Sequence, residues 1–144
     1  MKQFFLAAAL FIISSTGVYA ADSSKTVTLY KTPQCGCCEG YADYLRDYGF
    51  EVTVVPTHDL VSISSEAGVD EEFQGCHTMF IDDYVVSGHV PIKTLNKLLM
   101  ERPEIIGITM PGMPLGSPGM GGEKQDVFEI LEVGSNGSII YNTE

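Results

Sequence analysis

The sequence has few basic residues. Lys and Arg together number 8 against 19 Asp and Glu, which gives a formal net charge of −11. Proteins that bind nucleic acids or anionic membranes usually present clusters of positive charge. The chain also has no internal repeat and no Gly-rich phosphate-binding motif. We therefore expect neither nucleic acid nor an anionic lipid surface as a partner.

The sequence also has no apolar run of the length that crosses a bilayer. Residues 4–13 are apolar and follow Lys2, but a spanning helix needs about 20 such residues. Small residues follow at Val18-Tyr19-Ala20-Ala21, a pattern typical of a secretory signal peptide. We predict cleavage after Ala20, with residues 1–20 as the signal and 21–144 as one exported domain that has no membrane association. A retained N-terminal anchor is the alternative.

Only four cysteines are present, and three of them are grouped. Cys35, Cys37 and Cys38 form a Cys-Gly-Cys-Cys cluster, and Cys76 stands in Cys76-His77-Thr78. In an oxidising compartment paired cysteines are usually structural disulfides. However, a structural disulfide more often joins distant parts of the chain than neighbours at one turn. A reactive thiol set and a purely structural pair both remain open.

The pattern of apolar residues predicts a thioredoxin-like α/β domain. Its β-α-β opening consists of a strand at residues 26–31, a helix at 38–48 that ends at Gly49, and a strand at 50–55. A parallel pair with a right-handed crossover is expected. A weak helix at 60–67, short strands at 78–82 and 84–87 and a helix at 92–100 complete the core. A Met/Gly/Pro-rich arm at residues 110–122 and a terminal hairpin at 126–133 and 138–141 are added to it.

The Cys35/Cys38 pair lies at the predicted start of a helix. Backbone N–H groups and the helix dipole stabilise thiolates there. A thiolate serves equally as the nucleophile of disulfide exchange and as a ligand for soft metals. The pair therefore predicts a reactive dithiol without choosing between these two chemistries.

Cys37 and Cys76 favour a metal site. Disulfide exchange needs two sulfurs, whereas a site that holds several metal ions gains from additional bridging thiolates. Cys76-His77 occupies the turn where thioredoxins commonly have a cis-proline, which argues against ordinary exchange-substrate binding. His77 and His89 are candidate ligands, although adjacent strand residues point to opposite faces, so Cys76 and His77 need not both face the cluster.

Three methionines fall in the arm, which can form neither a helix nor an inner strand because of its Gly and Pro content. Thioethers are soft ligands that suit Cu(I). Met110, Met113 and Met120 are therefore candidate ligands. The alternative is that they are flexible gap-fillers that cover the core.

Taken together, these motifs resemble the CopG-type family of exported, thioredoxin-fold, copper-associated proteins of Gram-negative bacteria. The resemblance covers nearly all of residues 21–144. It implies a periplasmic role in copper resistance, with copper held as Cu(I) by Cys35, Cys37, Cys38 and Cys76, in a cluster of several ions. It also implies Cu(I)/Cu(II) redox activity, and other periplasmic copper-handling proteins as partners.

Two other functions fit the residues. A periplasmic thiol–disulfide oxidoreductase would use Cys35 and Cys38, and a tetrahedral zinc site would use three cysteines and His77. An iron–sulfur cluster is disfavoured because general export moves the chain unfolded, before such a cluster could be inserted. Oxidoreductase activity on copper or on disulfides would make the protein an enzyme, and the sequence does not decide this.

Overall fold

The structure is a computed structural model that describes residues 25–144. The predicted signal segment at residues 1–20 and its cleavage point lie outside the described residues. Within residues 25–144 no helix is both long enough and apolar enough to cross a membrane.

A single seven-stranded sheet runs through the described part of the chain, in the spatial order β2-β1-β3-β4-β5-β6-β7. Its strands are β1 Thr26–Lys31, β2 Glu51–Pro56, β3 His77–Ile81, β4 Tyr84–Ser87, β5 Gly107–Thr109, β6 Glu129–Glu132 and β7 Ile140–Thr143. The described residues also form the helices α1 Gly36–Asp47, α2 Leu60–Glu66 and α3 Ile92–Glu101, and a 3₁₀ turn at Glu71–Phe73.

The predicted thioredoxin-like core is confirmed. Strands β1 and β2 pair in parallel across helix α1, and β3 and β4 form an antiparallel hairpin beside β1. Helix α1 begins two residues earlier than predicted, and the chain leaves it at Gly49, whose φ of 84° suits the left-handed turn after a helix. The terminal hairpin is also present as β6 and β7.

The sequence did not predict strand β5. It has only three residues, all buried, so it shows no alternation of apolar and polar side chains. Its pairing with β4 on one side and β6 on the other extends the core sheet into the terminal hairpin. The hairpin is therefore part of the main sheet and not a separate attachment.

The two faces of the sheet carry different layers. Because strand side chains alternate, Leu29 and Met79 pack with α1 and α3 in the main core, whereas Phe80 and Val85 belong to a smaller cluster on the opposite face. Thr78, on that same second face, bonds to Ser64 of α2 at 2.7 Å between the side-chain oxygens.

This alternation positions the cysteine-bearing end of the core. Lys31 and His77 are register partners at the ends of β1 and β3, on the same face as Leu29 and Met79. The Thr32 N–H donates to the Cys76 carbonyl at 3.2 Å, which joins the turn before α1 to the turn before β3. The two cysteine-bearing turns are therefore held side by side by backbone.

Candidate metal centre

The four cysteine sulfurs meet at the start of α1. They lie within 4.8 Å of one another, and we call Cys35, Cys37, Cys38 and Cys76 the cysteine cluster. Cys35 and Cys38 are joined by a disulfide, while Cys37 and Cys76 are free thiols. The Cys37 sulfur lies 3.3 Å from that of Cys35, and the Cys76 sulfur lies 3.1 Å from that of Cys38. Each end of the disulfide thus has a free thiol beside it.

The helix start provides these positions. Cys35 is the N-cap of α1, with an extended backbone and no side-chain cap on the helix. The first-turn N–H groups of an uncapped helix favour nearby negative charge. Cys38 lies one turn into the helix, so its side chain returns towards Cys35 and towards Cys76. This arrangement suits sulfurs that become thiolates.

Exposure divides the cluster into two pairs. Cys38 is fully buried and Cys35 is 8% exposed, whereas Cys37 and Cys76 are partly exposed. Burial, together with the neighbouring Cys37, raises the pKa of the Cys76 thiol to about 11, although nearby Lys31 opposes this shift. The Cys76 sulfur therefore carries its proton at neutral pH until a cation displaces it.

Two buried histidines extend the donor set. The side chains of Cys38, Cys76, His77 and His89 also offer ligand atoms that all lie within 4.8 Å of one another. Cys76 and His77 both reach this group because Cys76 precedes β3 and is not bound by the alternation of the strand. The rings of His77 and His89 lie 5.0 Å apart between centroids, and Tyr41 contacts both.

The imidazoles have nitrogen atoms without hydrogen-bond partners. Among residues 25–144, neither nitrogen of His77 has a hydrogen-bond partner, and Nε2 of His89 has none either. Burial, reinforced by the neighbouring His89, lowers the pKa of His77 to about 3, although the nearby Gly88 backbone opposes this. Burial also lowers the pKa of His89. Both rings are therefore neutral at physiological pH and offer lone pairs, as metal-binding imidazoles do.

Lys31 is a buried cation beneath the cysteine-bearing turn. Its ammonium group donates to the carbonyls of Thr32, Pro33 and Cys35 at 3.2–3.3 Å, and it pairs with Glu39 at 3.2 Å. Its side chain is only 3% exposed. Lys31 was not predicted from the sequence, although its place at the end of β1 on the core face was a usable signal. It fixes the turn and adds positive charge beside the sulfurs.

Tyr41 was not predicted as a residue of the site. It is fully buried, its hydroxyl donates to the Val90 carbonyl at 2.8 Å, and burial raises its pKa well above the usual range. It therefore orders the loop that carries His89, besides filling the core.

The arm at residues 110–122 covers the cluster from one side. The Met113 sulfur lies 3.5 Å from the Cys76 sulfur, at a residue with a φ of 44°. Gly119 packs against the backbone of α1 so closely that a Cβ there would approach the Tyr41 nitrogen to 2.4 Å. The structure therefore brings one arm methionine to the cysteines.

The other two arm methionines lie elsewhere. Met110 is buried in the main core, 2% exposed, where β5 ends. Met120 is half-buried at a turn, where its N–H donates to the Ser117 carbonyl. Among the residues that the structure describes, neither sulfur forms a hydrogen bond with a cysteine. Both stay predictions as ligands, with less geometric support than Met113.

These features define the class of protein as a thioredoxin-like domain in which cysteine, histidine and methionine side chains from several segments meet beside the start of α1. The family described as protein of unknown function, DUF411, matches residues 73–120, a stretch that holds Cys76, both buried histidines and most of the arm. No curated protein matches the chain.

Two solved structures are similar over nearly their whole length. One, described as copper resistance protein CopG, form 2, is 34% identical with a TM-score of 0.75; the match covers 83% of this chain and 97% of that one. The other, form 1, is 33% identical with a TM-score of 0.75 and coverages of 85% and 98%. The chain belongs to this CopG-type family of copper-resistance proteins.

Proposed function

We propose that this protein binds Cu(I) in the periplasm through the cysteine cluster, as a part of copper resistance. The convergence of four sulfurs within 4.8 Å, with two neutral imidazoles beside them, carries the proposal. Thiolate sulfur, and the thioether of Met113, are soft donors that select Cu(I) over harder divalent ions. Copper is the cargo that the site receives and holds.

The spacing of the sulfurs supports several copper ions in one site. Besides the disulfide, three pairs of cysteine sulfurs lie between 3.1 and 3.9 Å apart. Sulfurs this close can each bridge two metal ions, and the four sulfurs together with two imidazoles and the Met113 thioether exceed the four donors of a single tetrahedral ion. Four thiolate ligands require that the Cys35–Cys38 disulfide first be reduced.

Redox activity on copper follows from the same pair. A reduced Cys35/Cys38 dithiol can give one electron to each of two Cu(II) ions, which forms two Cu(I) ions and the disulfide and releases two protons. The products are the oxidised pair that the structure contains and two Cu(I) ions, for which the remaining thiols are ligands. In this proposal the protein is a copper oxidoreductase as well as a copper carrier.

A periplasmic thiol–disulfide oxidoreductase is the second candidate, favoured by the Cys35–Cys38 disulfide at a thioredoxin-like helix start. Burial of both sulfurs argues against it, because a substrate protein must reach the attacking sulfur. A zinc site is the third candidate. Competition between Cu(I) and Zn(II) for the reduced protein separates zinc from copper.

The test is metal analysis of the reduced, anaerobic protein loaded with Cu(I), together with a count of free thiols. We expect more than one copper per chain, and loss of copper from both Cys37→Ser and Cys76→Ser. His58→Gln, a change at an exposed histidine, serves as the control and should bind as the parent does. Absence of bound copper, with Cys35 and Cys38 cycling as a disulfide, would contradict the proposal and favour the oxidoreductase.

The periplasmic location rests on the signal-like residues 1–21 of the sequence. Expression of the full chain in a Gram-negative host should yield exported protein that begins at Ala21. Exported protein that still carries residues 1–20 would instead indicate the retained anchor. Copper transfer to other periplasmic copper-handling proteins is the partner interaction that this location allows.

A further inference from the structure

The disulfide and the free thiols of the cluster differ in how they can be reached. Cys38 of the disulfide is fully buried and Cys35 is 8% exposed as a whole residue, whereas Cys76 is partly exposed. A reductant in solution therefore reaches Cys76 more readily than it reaches Cys38. The Cys76 sulfur lies 3.1 Å from that of Cys38, which is within contact distance for sulfur exchange.

We propose that Cys76 carries reducing equivalents to the buried disulfide by intramolecular thiol–disulfide exchange with Cys38. This inference rests on the proposed function in one respect, since it explains how the copper-binding thiols are regenerated. The exchange itself requires no copper.

The first step conserves electrons within the chain. The Cys76 thiolate attacks the Cys38 sulfur, the Cys35–Cys38 bond breaks, and a Cys38–Cys76 bond forms. Cys35 leaves as a thiolate and takes up the proton that Cys76 gave up. The chain still holds one disulfide, but one of its sulfurs is now partly exposed.

The second step uses a dithiol reductant. Its thiolate attacks the Cys76 sulfur, and Cys38 leaves as a thiolate. The second thiol of the reductant then displaces Cys76 and closes the reductant's own disulfide. Two electrons and two protons pass from the dithiol to the protein, which ends with all of its cysteines reduced.

Cys37 occupies the equivalent position at the other end of the disulfide, 3.3 Å from Cys35. A Cys35–Cys37 bond would close a small ring within one turn of the chain. A Cys38–Cys76 bond instead joins helix α1 to the turn before β3, and the hydrogen bond from the Thr32 N–H to the Cys76 carbonyl already holds these segments together. The geometry therefore favours Cys76 as the route, and Cys37→Ser gives a protein in which this route can be followed alone.

Tryptic digestion can distinguish the Cys35–Cys38 disulfide from a Cys38–Cys76 disulfide. Trypsin cleaves after Lys31, Arg46 and Lys93, so the clustered cysteines fall in peptide 32–46 and Cys76 falls in peptide 47–93. A Cys35–Cys38 disulfide stays inside one peptide, whereas a Cys38–Cys76 disulfide joins the two. In metal-free Cys37→Ser protein with one disulfide, a single thiol remains to be labelled.

The oxidised Cys37→Ser protein is incubated without oxygen at about pH 9, where a larger fraction of the Cys76 thiol is ionised than at neutral pH, quenched with acid, alkylated and digested. We expect joined peptides 32–46 and 47–93, with the alkyl label on Cys35 in that fraction. Label on Cys76 alone, with no joined peptides, would overturn the proposal.

The rate of reduction tests the route independently. With dithiothreitol as the dithiol, Cys37→Ser/Cys76→Ser protein should be reduced at least about tenfold more slowly than Cys37→Ser protein, because the buried disulfide must be attacked directly. Equal rates would show that Cys76 is not the route. Since neither measurement contains copper, both outcomes are independent of whether the copper proposal holds.

Discussion

The Nδ1 atom of His89 lies 2.6 Å from the carbonyl oxygen of Pro118. A carbonyl oxygen only accepts hydrogen bonds, so Nδ1 carries the proton and Nε2 presents its lone pair. Metal-binding histidines are commonly fixed in this way, with the second ring nitrogen donating to a carbonyl. The same hydrogen bond joins the arm, at Pro118, to the loop after β4 that carries His89. His89 therefore belongs to the donor set and also holds the arm in place.

Replacing this ring should weaken copper binding. We expect His89→Ala to lower the Cu(I) affinity of the reduced protein by about tenfold or more, as losses in the ligand environment of metal sites commonly do. Competition with a Cu(I) chelator of known affinity measures the change. Since His58 is exposed, His58→Ala should leave the affinity as it is. Equal affinities for the two variants would remove His89 from the copper site.

The buried histidines should make the metal-free protein sensitive to acid. The pKa of His77 falls from about 6.5 in the unfolded chain to about 3 in the fold, so the unfolded chain binds a proton that the fold excludes. The contribution of His77 to the free energy of unfolding is therefore full above about pH 6.5. It falls as the pH is lowered towards 3, by up to about 1.4 kcal/mol for each pH unit. His89, with a lowered pKa, adds to the same trend.

Denaturant unfolding at a series of pH values measures this loss. His77→Gln should flatten the dependence between about pH 6 and pH 4, whatever its effect on the stability at neutral pH. His58→Gln is the matched control and should follow the parent curve. A parent-like slope in His77→Gln would show that another group is responsible.

The arm should be displaced by one added methyl group. A Cβ at Gly119 would meet the Tyr41 nitrogen at 2.4 Å, and the φ of 74° there disfavours any side chain. Overpacking of this kind costs about 1–3 kcal/mol, which raises the population of displaced arms by roughly five- to a hundred-and-fiftyfold. Met113 would then leave Cys76 in more molecules, so Gly119→Ala should speed alkylation of the Cys76 thiol.

Gly121→Ala is the control for this experiment. In the described part of the chain, Gly121 has nothing within 4 Å of an added Cβ and no left-handed backbone, so the alkylation rate should stay at the parental value. Comparable rates for both variants would mean that the arm does not limit access to Cys76.

Lys31 should be important for stability despite its charge. Lys31→Met keeps the alkyl chain but removes the donor to three carbonyls. Leaving buried polar groups without partners costs about 1–3 kcal/mol, and we expect the free energy of unfolding to fall by that amount. Denaturant titration of the oxidised protein measures it. Lys93→Met, on the exposed side of α3, should change little.

A substitution at Glu39 separates the contribution of the Lys31–Glu39 ion pair to stability from that of the hydrogen bonds between Lys31 and the carbonyls. Its carboxylate is 53% exposed, and exposed ion pairs contribute little. Glu39→Gln should therefore cost much less than Lys31→Met. Equal losses would assign the stabilisation to the ion pair and not to the carbonyl bonds.

The sequence predicted the core well because its signals are local. The β-branched alternation of residues 26–31, the helical spacing of Tyr41 and Leu45, and Gly49 after the helix all act within a few residues. Strand β5 was missed because three buried residues carry no periodicity, and it forms only when β4 and β6 supply its hydrogen-bonding partners.

The candidate site likewise has features with a local sequence signal and features without one. The grouping of Cys35, Cys37 and Cys38 was visible in the sequence, and the thioredoxin-like topology was sufficient to place Cys76 beside them. The burial of Lys31 and the anchoring of Pro118 by His89 depend on segments that are far apart in sequence. Such contacts leave no local signal, and this is also why the three arm methionines could not be ranked from composition.

The arm begins and ends at neighbouring strands. It leaves the sheet after β5 and returns to it at β6, and those two strands are hydrogen-bonded to each other. The entropic cost of closing such a loop grows only slowly with its length. Insertions or deletions between the two strands can therefore alter how many thioethers stand over the cysteines while the folded scaffold keeps its stability. Metal preference and architecture can change separately in this protein.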